Sequence, residues 1–156
     1  MPDSEAKQNA KQLDGFIAKF SPEISATTQA VLKKMRKRYP TAQVLVYDNY
    51  NALAIGFAPG EKAGEAIFSI AVYPKWVSLF FLQAKGVPDP EGLLKGSGKV
   101  ARHVVMGSAE DLEVPAIVAM MEAAVEVAKR PFAEKGEGRL VIKSVSAKQR
   151  PRRPGA

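Results

Sequence analysis

Between residues 42 and 83 the apolar residues stop recurring every three or four positions and begin to alternate, and this change of period constrains the fold more than any other feature of the chain. Residues 52–58 show it best. Leu53, Ile55 and Phe57 fall on one face and Ala52, Ala54, Gly56 and Ala58 on the other, the pattern of a strand whose successive side chains point to opposite sides. Residues 42–47, 66–73 and 76–83 also read as strands, with Asp48-Asn49-Tyr50-Asn51 as a turn, residues 59–64 as a loop and Pro74-Lys75 as a tight link. Strands in series with short links predict an antiparallel meander, because parallel neighbours need long crossovers.

Helical spacing flanks this region. Leu13, Phe16, Ile17 and Phe20 mark one face of a short helix, and residues 1–11 before it read as a disordered lead. Ser21-Pro22-Glu23 opens a second helix, with Ser21 as cap and Pro22 where a missing N–H costs nothing. Ile24, Thr28, Val31, Leu32, Met35 and Tyr39 line its stripe, and Pro40 closes it. Residues 86–98 are an irregular connection and residues 101–106 a fifth strand. Ser108-Ala109-Glu110-Asp111 has capping-box spacing ahead of a third helix over residues 115–130, and residues 140–145 form a last strand. The reading is an α+β domain over residues 12–146, an antiparallel sheet of five to six strands with three helices on one face, followed by a basic tail over residues 147–156. The strand over residues 76–82, apolar on both faces, is expected either at the sheet centre or at a contact between two copies.

Composition narrows the function classes. With 46% hydrophobic residues the chain can build a core, and with no cysteine it has no disulfide, thiolate ligand or thiol nucleophile. No apolar run reaches a membrane span and the first residues lack the layout of a secretory signal, so a cytoplasmic protein is expected. The net charge of +7 is concentrated in Lys33, Lys34, Arg36, Lys37 and Arg38 and in the C-terminus. The first cluster suits a helix end, where cations meet the negative pole of the dipole. The second holds Lys148, Arg150, Arg152 and Arg153 with no acidic neighbour, which suits either a solubilising end or a polyanion-binding tail.

Gly96-Ser97-Gly98-Lys99 fails as a phosphate-binding P-loop, with Leu93 and Val100 where that motif needs glycine and Ser or Thr, and it precedes a strand rather than a helix. It reads as a structural turn, beside which Lys99 and Arg102 can meet an anion. His103 is the only histidine, has no carboxylate nearby in sequence, and reads as a partly buried structural residue on the face of Ala101 and Val105. Glu110, Asp111 and Glu113 suit a helix start, and Glu126 can pair with Arg130 one turn on. No catalytic residue, metal ligand or cofactor is assigned. The small-residue face of the strand over residues 52–58 is expected to be roofed by a closely packed helix. The alternative is a cavity there lined by Tyr73, Trp76 and Phe80.

Leu93-Leu94-Lys95-Gly96-Ser97-Gly98-Lys99, then Arg102-His103-Val104, then Ser108-Ala109-Glu110-Asp111-Leu112 and an apolar helix resemble the YdhG-like family of domains of unknown function. The ending Ile142-Lys143-Ser144-Val145-Ser146-Ala147-Lys148-Gln149-Arg150-Pro151-Arg152-Arg153 resembles one subgroup of it, and the resemblance extends from about Leu13 onward. It implies an antiparallel sheet flanked by helices and no established enzyme activity. For some relatives it implies a frataxin-like iron chaperone for iron–sulfur assembly. That role calls for an acidic, oxygen-rich surface, whereas the first helix contributes Asp14 and the second Glu23. The function expected is therefore a non-enzymatic binding or adaptor module. Its ligand would be an anion met by Lys99, Arg102 and the tail. Nucleic-acid association through the tail and iron delivery are the alternatives.

Overall fold

The structure, a computed structural model, describes residues 2–96 and 98–154, and the side chains from residue 4 onward within them. Met1 of the expected lead, Ser97 of the glycine-rich turn and residues 155–156 of the tail lie outside the described residues. The helices are α1 (Pro2–Ala18), α2 (Pro22–Arg38) and α3 (Pro115–Val127), and the strands are β1 (Gln43–Asp48), β2 (Leu53–Ala58), β3 (Phe68–Val72), β4 (Val77–Phe81), β5 (Arg102–Met106) and β6 (Leu140–Val145). They form the α+β domain read from the sequence. One sheet has the order β5-β4-β3-β2-β1-β6, antiparallel from β1 to β5. β6 departs from the meander and lies parallel to β1, a geometry open to it because the chain has crossed the sheet through α3 first. Its entry depends on Gly138, where any Cβ would overlap the carbonyl of Ala42.

The expected disordered lead is instead the first half of α1. Ala6, Lys7, Gln8, Ala10 and Lys11 are good helix formers, and Asn9 ties the segment to the sheet by donating to the Leu140 carbonyl at 3.0 Å. Leu13, Phe16, Ile17 and Phe20 are buried as their spacing required. Ser21 caps α2, accepting from the Ile24 N–H at 3.3 Å, and Thr28, Val31, Leu32 and Met35 are buried beneath it. Asp111 accepts from the N–H groups of Gly107 and Ser108, but the turn this closes is a short 3-10 segment, Ala109–Glu113, and α3 begins only after it.

All three helices pack on one side of the sheet. Val44, Val46, Leu53, Ile55, Phe57, Phe68, Ile70, Val72, Val77, Leu79 and Phe81 face them and form one core with Ile17, Phe20, Val31, Met35, Ile117 and Met121. Each fully buried side chain of this kind contributes on the order of 1.5–3 kcal/mol. On the other side a small cluster of Leu45, Ala58 and Ala66, flanked by Tyr47, Leu82 and Val141, contains no helical residue. Among the described residues no α-helix covers that face; only the 3-10 turn Ala63–Glu65 leading to Ala66 packs at its Leu45–Ala58 end, and no helix is long and apolar enough to cross a membrane.

Candidate functional site

The uncovered face follows from strand register. Cross-strand pairing places Val105, Ser78, Ala71, Ala54 and Tyr47 in one row, and Lys95, His103, Phe80, Ser69, Gly56 and Leu45 in the next. The middle of both rows is small. The expected roof helix over Ala52, Ala54, Gly56 and Ala58 is not there: the helices are all drawn to the large-residue face, which offers far more apolar area to bury. Ala52 and Ala54 instead floor a trough of about 540 Å³, lined also by Asn49, Tyr50, Ser69, Ala71, Tyr73, Phe80, Leu82 and Ser146, while Gly56 and Ala58 are buried beside Ala66.

Aromatic rings wall the trough. Tyr73 and Trp76 close the β3–β4 hairpin, the Tyr73 N–H donating to the Trp76 carbonyl at 2.9 Å, and alternation turns both toward the uncovered face. Their rings stack with centroids 4.6 Å apart. Phe80 and His103 are paired across β4 and β5 and stack at 4.9 Å. Tyr50 stands at the opposite wall with the guanidinium of Arg150 over its ring at 5.6 Å. Of the expected lining residues, Tyr73 and Phe80 line the trough, while Trp76 stands at its mouth, 44% exposed. Ser78 Oγ and Tyr47 Oη, both on this side of the sheet, are buried without a hydrogen-bond partner, and burial pushes the Tyr47 hydroxyl up from its ordinary pKa.

The charge around this face is one-sided. Residues 43–60, 66–88, 99–109 and 138–154 contain a single carboxylate, Asp48. Asp48 is fully buried on the helical side. Of the acids in the neighbouring loops, Glu65 is paired with Arg130 at 3.3 Å, Asp89 accepts from the N–H groups of Leu93 and Leu94, and Glu61 and Glu91 are exposed. Lys75 sits between Tyr73 and Trp76, Lys148 and Arg150 stand near Tyr50, and Lys95 lies beside His103. All four are exposed.

The six cations expected to meet one anion are separated. β5 and β6 are opposite edges of the sheet, and the strand spacing puts about 24 Å between them. Lys99 and Arg102 stand at the β5 edge, where Arg102 donates from Nε to the Gly98 carbonyl at 3.1 Å, and alternation sends its side chain to the helical side with Val104 and Met106. Lys148, Arg150, Arg152 and Arg153 stand at the other edge. No compact ligand touches both groups.

Nor is the tail free. Arg152 is 6% exposed, donates to Asp48 Oδ1 at 2.9 Å and to the Tyr50 carbonyl, and lies over the Phe20 ring at 5.5 Å. Arg153 donates to the carbonyls of Ala18 and Lys19, closing the C-terminus of α1 where the dipole favours a cation. Gln149 donates to the Asp48 carbonyl, and Lys19 reaches Asp48 Oδ2 at 3.0 Å. Burial disfavours the charged Asp48 carboxyl, but hydrogen bonds from Gln149, Lys19 and Arg152 and the Lys19 charge outweigh it and hold the pKa below the usual value. Asp48, Lys19 and Gln149 were not singled out in the sequence. The available signal was that Asp48 is the only acid between Glu23 and Glu61 and ends a strand.

A second hollow of about 330 Å³ lies between α2 and α3, lined by Arg38, Tyr39, Met121 and Glu122. Burial there pushes the Tyr39 hydroxyl up to about 12 against the opposing charge of Arg38, so it stays protonated at neutral pH. Among the described residues no group of three or more His, Asp or Glu side chains converges.

No family model, curated protein or solved structure matches this chain.

Proposed function

We propose that this protein is a non-enzymatic cytoplasmic binding module of the YdhG-like kind that takes an anionic ligand on the uncovered face of its sheet. One observation carries the reading: a trough with a small-residue floor and aromatic walls has no carboxylate among its lining residues, and the exposed cations Lys75, Lys95, Lys148 and Arg150 stand beside the residues that wall it. Low-dielectric walls lined by one sign of charge concentrate ligands of the other sign. The YdhG-like assignment rests on the glycine-rich block and the ending, and the helices gathered on one face of the sheet support it.

Inorganic tripolyphosphate is a suitable probe. Titrated into labelled protein, it is expected to shift the amide resonances of Ala54, Ala71, Tyr73 and Arg150, and the paired substitution Lys75→Glu/Arg150→Glu is expected to abolish those shifts. Shifts confined to the basic end of α2, around Lys33 and Lys37, or no shifts at millimolar probe, would refute the reading.

A further inference from the structure

We infer that the anionic ligand is single-stranded nucleic acid, laid diagonally across the uncovered sheet face; the inference rests on the binding reading above and gives it a ligand class. The two cation groups that no compact anion spans are the reason. At one corner stand Lys148 and Arg150, with Lys75 along the same end of the strands, and at the other stands Lys95 beside His103. Between them lie the aromatic rings: Tyr50 under Arg150, then Tyr73 on Trp76, then Phe80 on His103. A ligand that meets charge at both corners and flat apolar surface between them is an extended polyanion carrying planar groups.

Each part of that description has a counterpart in nucleotides. Bases stack on exposed aromatic rings with little regard to sequence, because every base presents a π-face, while a basic groove tracks the phosphates. A sheet displaying aromatics on a face no helix covers is a recurring platform for unpaired strands. A duplex would hide its base faces from these rings. The trough is recessed, with Ala54 and Ala71 at its floor, so a flat anionic bilayer meets the rims and not the rings of Tyr73 and Phe80. Strand pairing also separates the roles of the cations. Lys95 exchanges both backbone hydrogen bonds with His103, N to O at 2.7 and 3.0 Å, so the two side chains share the uncovered face. Lys95, rather than Arg102, supplies the charge at that corner.

Trp76 is the chain's only tryptophan and lies on the proposed path, so its emission reports contact directly. The intact protein is titrated with an oligothymidylate and an oligouridylate of about 15 nucleotides, a length suited to one small domain, with heparin as a polyanion without bases and with phosphatidylserine vesicles. Both oligonucleotides are expected to quench Trp76, with log K falling linearly as log salt rises. Followed by the anisotropy of labelled oligonucleotide or labelled heparin, since the change removes the only tryptophan, Trp76→Ala is expected to weaken oligonucleotide binding about tenfold or more and to leave heparin binding within about twofold. Trp76 is exposed, so folding survives the change, and Trp76→Phe restores most of the affinity by returning a ring. Lys95→Glu and Arg150→Glu each reduce the salt slope, since the strand reaches both corners.

Equal binding of heparin and oligonucleotides, with no effect of Trp76→Ala on either, would overturn the nucleic-acid inference and leave the anion-binding reading standing. Binding of none of the polyanions would end both. Quenching by vesicles with no response to oligonucleotides would assign the face to lipid and overturn the inference. A preference between the two oligonucleotides would say that the 2′-hydroxyl or the thymine methyl is read, and either preference supports the inference.

Discussion

Asp48 ties the C-terminal strap to the sheet and to the residue that follows α1. It is fully buried, bonded to Arg152 at 2.9 Å and to Lys19 at 3.0 Å, and its carboxyl is held below its ordinary pKa. The folded state therefore binds its proton less readily than the unfolded chain does, so stability rises with pH across the interval between the two values. The contribution is complete above the ordinary carboxylate range, near pH 4, and is lost as pH falls through the lowered value. Asp48→Asn leaves Arg152 buried without its counter-charge and is expected to cost about 3 kcal/mol at pH 7. Denaturant unfolding should show the gap between the two proteins narrowing at pH 3. A gap of unchanged size at both pH values would mean the carboxylate is not the charged partner. This residue was nearly invisible in the sequence. A turn beginning Asp48-Asn49 is ordinary chemistry, and nothing local announces that its cation is Arg152, which is 104 positions away.

At the scale of elements, the parts set by short-range periodicity could be read and the parts set by long-range docking could not. α2 and its Ser21 cap, the strands β1 to β5 and α3 follow from spacings of two or of three and four, which are local properties. The tail is the contrary case. Lys148-Gln149-Arg150-Pro151-Arg152-Arg153 has the composition of a solvated end, yet residues 149–153 form a strap bonded to Asp48, Tyr50, Ala18 and Lys19. Composition reports what a segment can bury by itself and is silent about a guanidinium seated on a distant carboxylate. Deletion of residues 147–156 is thus expected to act on stability, by about 3 kcal/mol and a melting temperature lower by on the order of 10 °C. An unchanged melting temperature would show that the strap is not docked in solution. The small-residue strand face was misjudged for a related reason. Ala54 and Gly56 show that something can approach closely, but whether a helix does depends on where three helices find the most apolar area, which is a property of the whole sheet.

Across the whole molecule the layers are unequal: one side of the sheet is sealed by helices and the other is lined by rings and bordered by cations. Strands β2, β3 and β4 have hydrogen-bonded neighbours on both sides and bury the large side chains of their helical face completely. The first half of α1 touches the sheet through Asn9 and Leu140. Amide exchange should reflect this inequality, slowest in Ile55, Ile70 and Leu79 and fastest in α1 before Leu13. Comparable protection throughout α1 would mean that its first half is held by more than the single tie. The class of fold was legible because the meander is local. The location of the trough was legible only as the alternative to a helix-roofed strand, because choosing between the two required knowing which side of the sheet the helices leave bare.

The strap has a last consequence, for the order in which the chain is made. Asp48 leaves the ribosome long before Arg152, since 104 positions separate them, and Arg153, which closes α1, emerges later still. During synthesis the buried carboxylate has only Lys19 to answer it, and the meander around it must stay loose or admit water at that corner. Completion of the native core is in this way deferred until residue 152 has been made and has left the ribosome, when the late-made arginine reaches the early-made acid and latches the two halves of the domain together.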